Sequence, residues 1–208
     1  MKILGFILLV LTITSCCKSK QIDTILFSES AKNVNPYTGN ETLQFVDDSS
    51  NLIIYGNGSR STEMEELPEC DGGCCDYYLV ENIDNTNFES TYLTSYLRTT
   101  ILNQFERFGG NQNSPIIAFS WVYYENYEDP TFTNYAVLPV DDMEGVATKQ
   151  QLFKDSLILR DVTYYQVFTL PGVCSSPGRP YADTLLYTKA EGVIGLQFTD
   201  GNLLTLGN

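Results

Sequence analysis

The last third of the sequence is divided into short apolar segments separated by turn residues, and this division restricts the fold more than any other feature. Residues 184–187 and 193–198 flank the polar segment 189–192, and Asp200-Gly201 separates the second segment from residues 203–206. Segments of this length, rich in β-branched and aromatic residues, are typical of strands, and Asp-Gly is the two-residue hairpin signal. The pattern predicts a meander of antiparallel hairpins.

The same pattern extends through the rest of the chain from residue 42. Arg160-Asp161 separates two apolar segments, and a polar turn at residues 47–51 separates two more. Residues 92–102 fit a helical period as well as a strand period, but their threonines favour a strand. Further strands are predicted at 59–66 as an edge, at 76–81, at 115–124 as a central strand and at 134–140 as an edge, with a short helical turn at 145–153. The fold class expected is all-β, an antiparallel sandwich or half-open barrel with little helix beyond the leader.

The N-terminal residues have the composition of an export signal. Lys2 is followed by an apolar run over residues 3–13 and then by Thr14 and Ser15. A positive start, a short apolar core and small residues at the cut define a signal peptide. The run is shorter than the roughly 20 residues that a membrane-spanning helix needs.

Residues Ile13-Thr14-Ser15-Cys16 resemble the bacterial lipobox. The resemblance implies that the signal, residues 1–15, is removed and that Cys16 carries a diacylglyceryl group on sulfur and an acylated amine. Several acyl chains would hold the protein at a lipid bilayer essentially permanently. The residue after Cys16 is Cys17 rather than Asp, which favours the outer membrane, and Lys18-Ser19-Lys20 lacks the acidic tract of surface-exported lipoproteins, which favours the periplasmic face. An ordinary secretory signal is the alternative.

Charge and composition exclude several classes of function. The formal net charge of −14 becomes −15 once Lys2 is removed with the leader. Such a surface repels phosphate backbones, so we expect no nucleic-acid partner. The chain has no histidine, which argues against Ser-His-Asp and Cys-His catalysis and against zinc sites built on imidazole.

Four cysteines in the body of the chain, Cys70, Cys74, Cys75 and Cys174, are disulfide candidates. An exported chain folds in an oxidising compartment, and four cysteines allow three pairings. We expect one of the adjacent pair Cys74 and Cys75 to join Cys70 and the other to join Cys174. A four-thiolate metal site is the alternative, and Cys17 would remain unpaired.

Two other groups of residues invite a functional interpretation. The acids Glu63, Glu65, Glu66, Glu69 and Asp71 could form a calcium site or a glycosidase pair, although acids also protect an edge strand from pairing with other chains. The acids Asp141, Asp142 and Glu144 are better explained by turn chemistry.

The second group is aromatic, and its members are Trp121, Tyr123, Tyr124, Tyr127 and Tyr135. These residues could form a sugar- or lipid-binding face, but packing within a sheet is the favoured explanation, because tyrosine and tryptophan are ordinary strand residues.

Residues 155–157, 162–164, 187–189, 191–195 and the final Asp200-Gly201 resemble the C-terminal part of Bacteroidota lipoproteins. The resemblance implies a lipid-anchored location and a β fold. It assigns no residue a catalytic role. In the same group, Asp23-Thr24-Ile25, Asp155-Ser156-Leu157 and Asp183-Thr184-Leu185 resemble an O-glycosylation sequon, which makes Thr24, Ser156 and Thr184 weak glycosylation candidates.

We therefore expect three parts: the signal peptide 1–15, a lipidated tether 16–40 and a single β-rich domain 41–208. The function expected is that of a membrane-anchored envelope lipoprotein that acts as a non-catalytic binding or structural module, with no cofactor or metal, no catalytic residue, and an unidentified envelope protein or glycan as partner. A carboxylate-based hydrolase of envelope polysaccharide and a carrier of small apolar ligands are the alternatives. Two carboxylates about 5–10 Å apart in a cleft would favour the hydrolase, and an apolar cavity of about 300 Å³ or more would favour the carrier.

Overall fold

The computed structural model describes residues 20–27, 29–71, 74–90, 94–103, 115–124, 134–172 and 182–207. These residues form twelve strands and two short helices. In chain order the elements are β1 (Lys20–Ile25), α1 (Glu29–Lys32), β2 (Leu43–Val46), β3 (Leu52–Asp71), β4 (Cys74–Ser90), β5 (Thr94–Asn103), β6 (Pro115–Tyr124), β7 (Asn134–Pro139), α2 (Met143–Lys149), β8 (Phe153–Leu159), β9 (Val162–Pro171), β10 (Ala182–Thr188), β11 (Gly192–Phe198) and β12 (Leu203–Leu206).

Eleven strands form one antiparallel sheet that curls into a half-barrel, which confirms the predicted fold class. The strand order is β7-β6-β5-β4-β3-β2-β12-β11-β10-β9-β8, and β1 pairs in parallel with β4. The chain meanders outward from β2 and returns through β8 to β12. The strands β2 and β12 then meet in the middle of the sheet, where Thr205 pairs with Val46 and Leu206 with Phe45.

The described chain divides into two compact units. The first comprises the described residues of the ranges 1–26 and 64–82, and it holds the parallel pairing of β1 with β4. The second contains residues 27–63 and 83–208, with most of the sheet and both hydrophobic clusters. All the side-chain contacts discussed below for the candidate site lie within the second unit.

Most of the predicted strands appear where the sequence places them. Residues 94–103 form β5, so the strand interpretation of this ambiguous segment is confirmed. The strand β6 pairs with β5 on one side and β7 on the other, and its Ile117, Phe119 and Trp121 are fully buried. The edge strand predicted at residues 134–140 is β7. It lies at one edge of the sheet, and the strand ends at Pro139. Residues 59–66, predicted as a strand that could pair as an edge, lie inside the 20-residue strand β3, and the pairs of β3 with β2 cover only Leu52–Tyr55.

Residues 16–40 are predicted to form a solvated tether, but in the second half of this range several side chains are buried. Phe27, Ala31, Val34 and Tyr37 are buried members of the main hydrophobic cluster. The half-barrel leaves one face of its sheet open, and burial of an apolar face is the main driving force of folding, so this segment fills the interior. We call residues 27–38 the inner segment.

Two side chains link strands from the two halves of the sheet order, β6 and β7 on one side and β10 on the other. Trp121 Nε1 donates to the Ala182 carbonyl oxygen at 2.8 Å, and Asn134 Nδ2 donates to the same oxygen at 2.9 Å. Both donors are buried. Because a buried donor without a partner is costly, these bonds favour the curled state in which β6 and β7 approach β10.

Two hairpin turns have the same backbone pattern. In the β2–β3 turn, Ser50 N donates to Asp47 O, and in the β11–β12 turn, Gly201 N donates to Phe198 O. Ser50 and Gly201 occupy equivalent positions with φ of 68° and 91°. Asp200-Gly201 therefore belongs to a three-residue turn with a left-handed third residue rather than to a two-residue turn.

This equivalence generates a pair of opposite stability predictions. We expect Gly201→Ser to lower the free energy of unfolding by about 1 kcal/mol, since a side chain disfavours positive φ. An added Cβ at Gly201 would meet no atom within 4 Å, so the loss comes only from the cost of positive φ in the backbone and not from a steric clash. We expect Ser50→Gly to raise stability by a smaller amount, because glycine also gains entropy in the unfolded chain. Urea unfolding measures both, and equal stability of Gly201→Ser and the native chain would contradict the assignment.

Candidate functional site

The residues predicted for lipidation and disulfide bonding lie at the margins of the described structure. Cys16, Cys17 and Cys174 lie outside the described residues. Cys70 belongs to β3, which ends at Asp71, and Cys74 and Cys75 begin the neighbouring strand β4, but the description does not extend to their side chains. The backbone therefore places three cysteines at one end of the β3–β4 pair, and their pairing stays a prediction.

The three glycosylation candidates occupy separate strands. Thr24 is an exposed residue of β1, and its hydroxyl oxygen accepts a hydrogen bond from Gln21 Nε2 at 2.6 Å. Ser156 is exposed on β8, the last strand of the sheet. Thr184 on β10 is half-buried and donates to Asp183 Oδ1 at 3.1 Å. By accessibility, Thr24 and Ser156 remain candidates, and Thr184 is the least reachable.

The acidic and aromatic groups do not form a site among the described side chains. Glu63 is exposed on β3, and the side chains of Glu65, Glu66 and Glu69 lie outside the description. Asp142 occupies the N-cap position of α2, but its side chain makes no capping hydrogen bond.

The two aromatic residues of this group whose side chains are described, Trp121 and Tyr135, do not share a face. Trp121 is fully buried in the core, whereas Tyr135 is 44% exposed on the edge strand β7. Tyr127 and the side chains of Tyr123 and Tyr124 lie outside the description.

A buried ion pair lies where the inner segment meets β3 and β4. Arg60 Nε donates to Asp84 Oδ1 at 2.8 Å, and Arg60 Nη2 contacts Asp84 Oδ2, so the ion pair is bidentate. The Asp84 side chain is only 3% exposed and that of Arg60 is 23% exposed. Hydrogen bonding to Asp84 is the main influence that raises the pKa of Arg60. Arg60 Nη1 also donates to the carbonyl oxygen of Tyr37, so the pair holds the inner segment against β3.

A second set of bonds continues this polar network. Asn35 Nδ2 donates to Thr86 Oγ1 on β4 at 2.9 Å, and Asn35 Oδ1 accepts from the backbone N–H of Tyr37 at 3.4 Å. Asn35 and Thr86 are both buried. The buried side chain of Asn35 thus replaces bonds to water with one bond to β4 and one to the backbone of the inner segment.

Glu41 closes the loop that follows the inner segment. Its Oε1 accepts from the Thr38 N–H and hydroxyl, each at 2.6 Å, and its Oε2 accepts from Gly39 N at 2.8 Å and Asn40 N at 3.0 Å. Desolvation by burial is the largest single influence and raises the pKa of Glu41, but the hydrogen bonds from Thr38 and Gly39 together outweigh it and lower the pKa to about 2. Glu41 is therefore a fixed anion at neutral pH.

Two buried tyrosines connect the inner segment to the C-terminal strands. Tyr37 Oη accepts from Val193 N at 2.6 Å, and the Tyr187 hydroxyl donates to the carbonyl oxygen of Val34. Burial raises the pKa of Tyr37 and of Tyr187 well above the ordinary value for tyrosine. Both phenols therefore remain neutral and serve as hydrogen-bonding groups.

An open cleft of about 470 Å³ lies beside this network. Glu41 and Glu191 supply its carboxylates, and Glu191 Oε2 accepts from the Thr188 hydroxyl at 2.8 Å. The cleft walls come from the loop before β2, the β10–β11 turn and the end of β12. The lining residues are Pro36, Tyr37, Glu41, Thr42, Leu43, Gln44, Ala190, Glu191, Leu206 and Gly207.

The described residues hold neither a cluster suited to a metal ion nor a helix suited to span a bilayer. Over the described ranges, no group of three or more His, Cys, Asp or Glu side chains is placed to hold a metal ion. Neither of the two helices formed by the described chain has the length and apolar character to cross a bilayer.

The network and the cleft are not predicted from the sequence, because the polar composition of residues 16–40 indicates a tether. The signal that was present is the spacing of Phe27, Ala31 and Val34, which recur at helical intervals within an otherwise polar stretch. A lone arginine at residue 60, inside a predicted edge strand, gave no indication of a buried partner.

Comparison of the chain with protein-family models, with curated proteins and with solved structures found no match.

The ion pair generates a stability prediction. We expect Asp84→Ala to lower the free energy of unfolding by about 3 kcal/mol, because removing one partner leaves the other charge partly buried and uncompensated. The matched control is Glu144→Ala, which breaks the Lys189–Glu144 pair, whose side chains are 34% and 46% exposed. The control should cost less than about 0.5 kcal/mol. Similar losses in both variants, measured by urea unfolding, would show that Arg60–Asp84 behaves as a surface pair.

The Glu41 network generates a pH prediction. The folded pKa of about 2 lies below the ordinary value of 4.5, so ionised Glu41 contributes stability that is complete above pH 4.5 and is lost as the pH falls towards 2. We expect Glu41→Gln to be about 1 kcal/mol less stable than the native chain at pH 7. The difference should shrink between pH 4.5 and 2, as followed by urea midpoints across that range. Glu63→Gln, at an exposed position, is the control, and a difference that does not change with pH would contradict the role of the charge.

Proposed function

We propose that this protein is a non-catalytic binding or structural module of the bacterial envelope, anchored by acylation of Cys16. In this proposal the anchor holds the β domain at the outer membrane, facing the periplasm. The lipobox resemblance of residues 13–16 supports the anchor, and the absence of histidine argues against the commonest nucleophilic mechanisms.

The single observation that supports a non-catalytic role most strongly is the state of the cleft carboxylates. Both oxygens of Glu41 accept hydrogen bonds from the adjacent loop, and its pKa is lowered to about 2. Glu191 accepts from Thr188 Oγ1, and its own backbone N–H donates to the same oxygen at 3.0 Å. Each carboxylate therefore organises its own turn.

A glycoside hydrolase needs the opposite arrangement. One of its carboxyl groups must hold a proton near neutral pH, which requires a raised pKa, while the other stays ionised. Glu41, whose pKa is lowered to about 2, could not act as that acid. The cleft is better suited to contact a partner surface through Gln44, Thr42 and the backbone of the β10–β11 turn.

The anchor is tested by fractionation of cells that express the full chain. We expect Cys16→Ala to move the protein from the membrane fraction to the soluble periplasmic fraction and to abolish labelling with a radioactive fatty acid. Cys17→Ala is the matched control and should leave both unchanged. Retained labelling of Cys16→Ala, with loss in Cys17→Ala, would move the anchor to Cys17, and retained labelling in both would contradict lipidation at this site.

The non-catalytic role needs its own assay, independent of the anchor. The purified full chain is incubated with isolated envelope polysaccharide, and new reducing ends are measured for the native chain and for Glu191→Gln. We expect no release above the level without protein for either. Release by the native chain that Glu191→Gln abolishes would overturn the proposal in favour of hydrolysis.

A further inference from the structure

The distal half of the β8–β9 hairpin leaves the sheet. Residues 168–171 of β9 pair with β10, whereas residues 162–165 pair only with β8. The change occurs at Gln166, a non-glycine residue with φ of 55°. We call residues 156–165 the strap and Gln166 its hinge.

The strap covers a second hydrophobic cluster, on the face of the sheet opposite the main core. Leu159 and Tyr164 of the strap pack with Leu186 of β10 and Ile194 of β11. Neighbours of these last two residues, such as Tyr187 and Val193, belong to the main cluster, as expected when successive side chains of a strand point to opposite faces. The strap reaches across the strands, since a methyl group placed on Gly195 would lie 3.8 Å from Leu159 Cδ1.

A polar latch holds the tip of the strap. Arg160 Nη2 donates to the carbonyl oxygen of Asp47 in the β2–β3 turn and lies 3.7 Å from Asp48 Oδ1. Asp48 Oδ2 in turn accepts from Leu203 N at 3.0 Å, which ties the latch to β12. The side chains of Arg160 and Asp48 are 36% and 53% exposed, so the ion pair is screened by solvent and weak.

Backbone strain is concentrated at both ends of the strap. Arg160 and Asp161 form its two-residue turn with φ of 45° and 67°, in the region where Asn-Gly is preferred. With Gln166 at the hinge, three non-glycine residues have positive φ within seven positions. The outer side of the strap exposes Ile158 and Tyr165 at 68% and 69%, so only one side of it is packed.

We propose that the strap is a conformational device that opens as a unit about Gln166 and exposes the second hydrophobic cluster while the rest of the sheet stays folded. A segment bonded to the sheet through one hinge, packed on one side and held by a solvent-exposed latch belongs to the low-stability end of a structure. The buried face it uncovers is built from Leu186, Ile194 and the partly buried Leu203, which are all aliphatic.

Hydrogen exchange of the full chain in lipid nanodiscs, read by mass spectrometry under conditions where exchange reports the opening equilibrium, tests this device. We expect the strap amides to exchange together, about tenfold or more faster than those of residues 185–187 and 193–196. Arg160→Met removes the latch and should raise the strap rate by about threefold to fivefold. Asp161→Gly relieves the turn and should lower that rate by about twofold to fivefold.

Lys189→Met is the control, because it breaks an exposed ion pair outside the strap. It should leave the strap rate unchanged. Strap amides that exchange at the rate of β10 and β11 in the native chain would overturn the proposal. An Arg160→Met acceleration that appears equally in all three segments would do the same, since it would report global unfolding.

Discussion

The half-open barrel imposes one constraint on the rest of the structure: its interior must be filled by a segment that is not part of the sheet. The inner segment meets this need with Phe27, Ala31, Val34 and Tyr37. A chain that enters an apolar interior brings backbone carbonyl and N–H groups with it, and each one left without a partner is costly. The side chains of Tyr187, Arg60 and Asn35 bond to those groups, so the polar network is a consequence of the way the barrel is filled.

The same reasoning explains why an aspartate is buried in an acidic protein. The many surface acids are solvated and mutually repulsive, whereas Asp84 is compensated by the guanidinium of Arg60. A buried ion pair offers little net stability over an apolar pair. Here, however, the third donor of Arg60 is committed to the carbonyl of Tyr37, and no apolar side chain could supply that bond. The pair is therefore best understood as specifying where the inner segment lies.

The sequence predicts the strands well because strand formation is recorded in local alternation and in turn residues such as Arg160-Asp161. It does not predict the inner segment, because the signal of burial there depends on partners far away in the chain. Tyr37 bonds to Val193, which is 156 residues distant, and Asn35 bonds to Thr86, which is 51 residues distant. The local composition, rich in asparagine and serine, indicates a solvated tether, because the strands that bury this segment are distant in the sequence. The cleft carboxylates are not predicted for the same reason, since Glu41 and Glu191 are 150 residues apart in the chain and line one cleft only in the folded sheet.

Alternation also fails to show which faces of a sheet are covered. In β11, Val193 belongs to the main cluster and Ile194 to the second, and Leu196 returns to the main cluster after a register irregularity between β10 and β11. The segment reads as continuously apolar, which is the pattern of a strand covered on both faces. One cover is the inner segment and the other is the distal β8–β9 hairpin, and neither is adjacent to β11 in sequence. The half-barrel thus becomes a layered structure only because the chain folds back over both faces of its C-terminal strands. The hydrogen bonds of Tyr37 and Arg160, one on each side, mark the points at which those two covers are fastened.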